Sequence, residues 1–147
     1  MATPYEPPPP APADAPLGKS SMGMDANLAS MLCYLTMICC GLGIIVSLVF
    51  FIIEKTSRLV RFHAMQGLLF GGVWVVVGIA FKILSMLVDI ALGDTIGVMA
   101  FWGLLLVRIG VGLVLFAFLI LAAVKSYQGQ YYKLPIIGNV AWNIVNK

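Results

Sequence analysis

The chain has 147 residues, 61% of them hydrophobic and 10% charged, with a mean hydropathy of +1.02 and a formal net charge of +3. That balance lies far outside the range of soluble globular domains and leaves room for one domain. The basic residues sit beside apolar runs, where the retention of Lys and Arg on the cytoplasmic side accounts for them, so no nucleic-acid partner is expected. Cys33, Cys39 and Cys40 are odd in number and lack CxxC spacing. They read as small buried side chains rather than as a disulfide framework or metal site, and no cofactor is implied.

Residues 1–26 hold seven of the eight prolines, including Pro7-Pro8-Pro9-Pro10, and lack the basic start and apolar core of a signal peptide. They are expected to form a disordered leader. The remainder, 27–147, reads as a transmembrane helical domain. A bilayer core of ~30 Å needs about 20 helical residues. The first apolar stretch, Asn27–Ile53, is long enough for one crossing (about 30–53), with Gly41 and Gly43 at a possible break. A re-entrant path through the same stretch is the alternative. The second span is expected at about 63–83 and the third at about 101–124. Ser85–Thr95 reads as an interfacial connector with Leu87, Ile90 and Ala91 toward lipid and Asp89 and Asp94 toward water. In the interfacial tail 134–147, Ile137, Val140, Ala141, Ile144 and Val145 share one helical face and Asn139, Asn143 and Asn146 the other. This pattern predicts a short amphipathic helix on the membrane surface. The expected fold class is therefore all-α integral membrane, a compact bundle of three transmembrane helices plus this helix.

With three spans, Lys55, Arg58 and Arg61 share a face with Lys125, Lys133 and Lys147. Cytoplasmic retention of Lys and Arg then places the C-terminus in the cytoplasm and the N-terminus outside, in a multi-pass membrane protein. A re-entrant first segment would bring the N-terminus inside. Lys82 and Arg108 are charges within apolar runs, expected ~25–29 Å from the inner face, where they snorkel, pair with Asp89 or Asp94, or line a polar cavity. Gly67, Gly71 and Gly78 fall on one helical stripe and Gly103 and Gly110 on another. Both stripes are expected to serve close helix packing, within the chain or between copies.

Two polar clusters meet at the expected inner face. The first runs from Glu54 through Arg58, Arg61 and His63 to Gln66, whose amide enters the membrane and needs a partner. The second contains Tyr127, Gln128, Gly129, Tyr132 and Pro135. These ten residues are the candidate interaction surface. No paired carboxylates, ligand cluster or phosphate-cradling loop accompanies His63, so no catalytic or metal site is expected.

The same clusters carry a resemblance. A glycine-interrupted first stretch ending in Glu54-Lys55, then Val60-Arg61-Phe62-His63-Ala64-Met65-Gln66, and a closing Lys125-Ser126-Tyr127-Gln128-Gly129 with Tyr132-Lys133-Leu134-Pro135-Ile136-Ile137-Gly138, resembles a widespread, largely uncharacterised bacterial family of small membrane proteins. That family is regarded as distantly similar to the twenty-kilodalton subunit of the chloroplast inner-envelope import translocon. The resemblance implies a non-catalytic subunit or scaffold of an assembly in the bacterial inner membrane, with protein translocation as the process it suggests, and lipids and protein partners or further copies of itself as its contacts. The alternative is a small homo-oligomeric channel or transporter lined by Gln66, Lys82 and Arg108.

Overall fold

The computed structural model describes residues 18–40 and 42–146, without the side chains of Cys39, Cys40, Gly93, Asp94 and Thr95. The proline-rich part of the leader, Gly41 and Lys147 lie outside the described residues. The chain is helical: α1 Ala26–Cys40, α2 Gly43–Ile53, a long helical run Arg58–Tyr127, and a last helix Ile137–Val145. Helices are the solution an apolar chain adopts in lipid, because each backbone polar group is satisfied within its own segment.

The run Arg58–Tyr127 is not one rod. Its 70 residues would extend ~105 Å if straight. Instead, an ideal Cβ at Gly97 would lie only 3.8 Å from the Asp89 Cα, where eight straight helical residues would separate them by ~12 Å. Phe70 likewise packs with Leu119, Ala122 and Ala123. The run therefore folds back into two antiparallel arms, α3 Arg58–Leu92 and α4 Ile96–Tyr127, each long and apolar enough to cross a membrane. The final helix is α5. The expected connector at Ser85–Thr95 is corrected: helix α3 continues to Leu92 before the reversal.

Among the described residues two helices meet the length and hydropathy of a span, and the third expected span is not confirmed. The first apolar stretch is a helical hairpin instead. Gly43 makes the reversal possible, since a Cβ there would collide with the Met37 side chain and lie 2.7 Å from its backbone nitrogen. Ser47 Oγ donates to the Cys33 carbonyl at 3.3 Å across the hairpin. At its open end, Ser21, before α1, bonds Glu54, after α2. Both ends of the first stretch thus lie at one end of the molecule. That end also holds the start of α3, the end of α4 and all of α5. The expected placement of the N-terminal edge and the C-terminal tail on opposite faces is corrected accordingly. At the end of the expected leader, the backbones of Lys19 and Asp25 form an isolated β-bridge, and Ser20 and Ala26 are buried.

Candidate functional site: the polar end of the bundle

The site begins at the α2–α3 loop. Ser57 caps α3 by accepting from the Val60 N–H at 3.4 Å. Glu54, buried, accepts from the Ser21 N–H at 2.9 Å and the Ser21 hydroxyl at 2.9 Å. It also accepts from the Thr56 N–H (3.0 Å), the Thr56 hydroxyl (2.8 Å) and the Ser57 N–H (2.8 Å). Burial by itself raises the pKa of this carboxyl. The donors from Ser57, Thr56 and Ser21 outweigh it and hold the group below the ordinary carboxylate range. Glu54 is a clasp that ties the entry of α1 to the exit of α2.

One turn into α3, His63 is fully buried. Its Nε2 lies 3.0 Å from the Gln130 carbonyl, which only accepts, so Nε2 carries the proton. Nδ1 then accepts from the Tyr34 hydroxyl at 3.0 Å. The neutral ring links α1, α3 and the segment after α4. Gln66, also buried, donates from Nε2 to the Tyr132 carbonyl at 3.1 Å, while its Oε1 has no hydrogen-bond partner among the described residues. The partner expected for this amide on a neighbouring helix is thus a backbone carbonyl in the α4–α5 segment.

That segment is positioned by the end of α4. Gly129, at φ +72°, terminates the helix as its N–H bonds the Ser126 carbonyl (3.0 Å) and the Gln130 N–H bonds the Lys125 carbonyl (3.0 Å). Pro135, Ile136 and Ile137 then form a γ-turn, with Ile136 at φ +66° and the Ile137 N–H 2.7 Å from the Pro135 carbonyl. The turn launches α5 back onto the bundle. Phe62, Tyr131 and Trp142 form a three-ring cluster with centroids 5.6–5.7 Å apart, and Lys133 Nζ sits 4.4 Å from the Trp142 ring. Gly138 permits the docking: a Cβ there would come within 2.6 Å of the Lys133 Cα. Within α5, Ala141 is buried while Val140 and Ile144 are exposed, so half of the predicted apolar face remains open.

The ten sequence candidates converge on this end and then separate. Glu54, His63, Gln66 and Gly129 are buried, whereas Arg58, Tyr127, Gln128 and Pro135 are exposed. Arg61 and Tyr132 are half-buried, and Arg61 lies 5.5 Å from the Phe51 ring. The stripe glycines separate too. A Cβ at Gly67 would meet Ser47 Oγ at 2.7 Å, and one at Gly71 would collide with Ile44. One at Gly78, Gly103 or Gly110 would meet nothing. Packing within the chain therefore accounts for the first two alone. Lys82 and Arg108 are exposed on the far part of the hairpin. Sequence reasoning missed Ser21, Tyr34 and Gln130 as partners. Tyr34 carried the only available signal, a polar-tipped ring inside an apolar run that needs a bond when buried.

Among the described residues no three of His, Cys, Asp and Glu stand together to hold a metal ion. The arrangement is suited to holding helices together: Glu54, His63 and the Gln66 Nε2 form a knot of buried polar groups bonded to Ser21, Tyr34 and the Gln130 and Tyr132 carbonyls.

Residues 25–141 match the model of the magnetosome magnetite crystal formation protein family, MamF/MmsF. A UPF0132 membrane protein of Methanocaldococcus jannaschii is 37% identical over 128 residues, covering 85% of this chain and 93% of its own. One of Archaeoglobus fulgidus is 36% identical over 119 residues, covering 80% and 93%. A second protein of Methanocaldococcus jannaschii is 28% identical over 121 residues, covering 82% and 71%. No solved structure matches. These relatives are archaeal and carry no translocon name, so the bacterial and translocon parts of the expected resemblance gain no support from them. With four-fifths of its length inside the family match, the chain belongs to the magnetosome magnetite crystal formation protein family, alongside the UPF0132 membrane proteins.

Proposed function

We propose that this protein is a non-catalytic membrane scaffold whose polar end is a docking face for a protein partner on the cytoplasmic side of the membrane. One observation carries the reading. Glu54 and His63 at this end are buried and bonded within the chain, while the exposed surface carries mostly cations, with Asp25 as an exposed acid, and an apolar helix edge. Lys19, Lys55, Arg58, Arg61, Lys125 and Lys133 all belong to this end. Cytoplasmic retention of Lys and Arg then supports a cytoplasmic polar face with both described chain ends on it. The exposed Val140 and Ile144 of α5 suit the membrane interface beside it. The mineral-forming role in the family description is carried over only as far as a membrane setting.

A photo-crosslinking residue at the exposed Tyr127 tests this in living cells. Capture of one specific second protein, lost when Arg58 and Lys55 are both changed to Gln, is the expected result. Capture of lipid alone overturns the docking face. Thiol labelling of single cysteines placed at Ser21 and Asn143 is expected from the same side of sealed vesicles. Labelling from opposite sides overturns the re-entrant first hairpin.

The channel alternative retains Lys82 and Arg108 but loses Gln66, whose buried amide is bonded to Tyr132. Solute flux through reconstituted vesicles that Arg108→Gln abolishes would restore it.

A further inference from the structure

The re-entrant hairpin covers only part of the α3–α4 pair. Helix α2 has 11 residues, ~16 Å, which from Glu54 reaches about the middle of a ~30 Å core. Beyond its tip no other described helix covers the seam between α3 and α4. That seam is grooved. A cavity of about 320 Å³ opens where the hairpin tip, at Met37 and Ile44, meets Gly71, Trp74 and Leu119. Trp74 also borders a second hollow, shared with Gly78, Gly112 and Arg108. Arg108 in turn borders a third, with Ser85 and Phe101. The three hollows form one line along the seam, from mid-bilayer to the far end of the hairpin.

Arg108 stands in this apolar line with no hydrogen-bond or ion-pair partner among the described residues. It lies 17 residues, ~26 Å, before Lys125, near the far boundary of the hydrocarbon core. From Arg108 to Leu119 is 11 residues, ~16 Å, about the depth of one leaflet. A cation at the mouth of a one-leaflet-deep apolar groove is complementary to one class of molecule, an amphiphile with an anionic head and a hydrocarbon chain. A second copy of the chain matches this less well, because its only described acid on the far arms, Asp89, is seven residues beyond Lys82 toward the hairpin turn.

We propose that the α3–α4 seam is a binding site for an anionic phospholipid of the leaflet opposite the polar end, with its phosphate on Arg108 and one chain running past Gly78 and Gly112 to the cavity at the hairpin tip. The lipid chain continues, in the far leaflet, the column that the re-entrant hairpin occupies in the near one. Gly78 and Gly112 keep the path open, since a Cβ at either would face open space, with no described atom of another turn or helix within 4 Å.

Native mass spectrometry of the full chain in mild detergent, titrated with phosphatidylglycerol or phosphatidylcholine, tests the site. Phosphatidylglycerol is expected to bind about tenfold more tightly, a preference that Arg108→Gln removes and Lys82→Gln keeps. Gly112→Leu, whose Cβ has open space and whose side chain would fill the groove, is expected to weaken both lipids while leaving the melting temperature at or above that of the wild type. An unchanged preference in Arg108→Gln overturns the headgroup assignment. Unchanged lipid binding in Gly112→Leu overturns the groove. A dimer that excludes lipid and dissociates in Gly112→Leu assigns the seam to a second copy instead, and also overturns the proposal.

Discussion

The two halves of the α3–α4 hairpin are made of the same kinds of residue and are held by different forces. Near the polar end, Leu59, Val60, Phe62, Ala64, Phe70, Leu119 and Ala122 are buried beneath α1, α2, α5 and the α4–α5 segment. Beyond Gly72, equally apolar side chains face outward, with Val76 65%, Leu106 70% and Met99 77% exposed. Hydropathy does not distinguish the halves. The first is specified by paired polar groups and close packing, which have one solution. The second is specified by the bilayer, which rewards apolar surface but supplies little specific attraction between helices.

Breaking the knot should separate the halves most. His63→Ala leaves the Tyr34 hydroxyl and the Gln130 carbonyl without their buried partner, an expected loss of about 3 kcal/mol or more. Arg108→Gln, in the exposed half, should stay within about 0.5 kcal/mol of wild type. Unfolding in detergent measures both, and equal midpoints would mean that the knot does not hold the near half together. A second comparison uses glycine. Gly138→Ala forces a Cβ against the Lys133 backbone and should cost about 1–3 kcal/mol. Gly110→Ala, in open space within a helix, should gain about 0.5–1 kcal/mol. A loss in both would show that the far half is as tightly packed as the near one.

Ile136 sharpens the comparison inside the polar end itself. It holds φ +66° while 84% exposed, so little packing offsets its backbone strain. Ile136→Gly should stabilise by about 1 kcal/mol, read as a higher melting temperature; a lower one would mean that the exposed side chain contributes more than the strain costs. The smallest expected effect is a pH slope. Because the Glu54 pKa is depressed in the folded state, its contribution is complete above the ordinary carboxylate range and is lost as pH falls through the folded value. Melting temperature should therefore drop on acidification, with a shallower slope in Glu54→Gln. Parallel curves would remove Glu54 as the source.

Several features were legible in the sequence because they are local. The period of α5 and the two long apolar runs each follow from a few neighbouring residues. The convergence of Glu54, His63, Gln66 and Gly129 at one end was legible as well, but not their roles. Polar residues beside a membrane read as a surface until their partners are known, and those partners lie 2–67 residues away in the chain.

By itself the sequence determined an all-helical, membrane-compatible chain with most of its cations at one end, because hydropathy, helix periodicity and charge belong to individual residues and short windows. Only the tertiary structure decided that the first apolar stretch turns back, that two helices are span-length, and that Gly67 and Gly71 pack while Gly78, Gly103 and Gly110 stand open. A stretch the length of Asn27–Ile53 satisfies hydropathy equally well as one crossing or as a hairpin. The choice rests on pairwise bonds, Ser21 to Glu54, Ser47 to the Cys33 carbonyl and Tyr34 to His63, which exist only once distant segments meet.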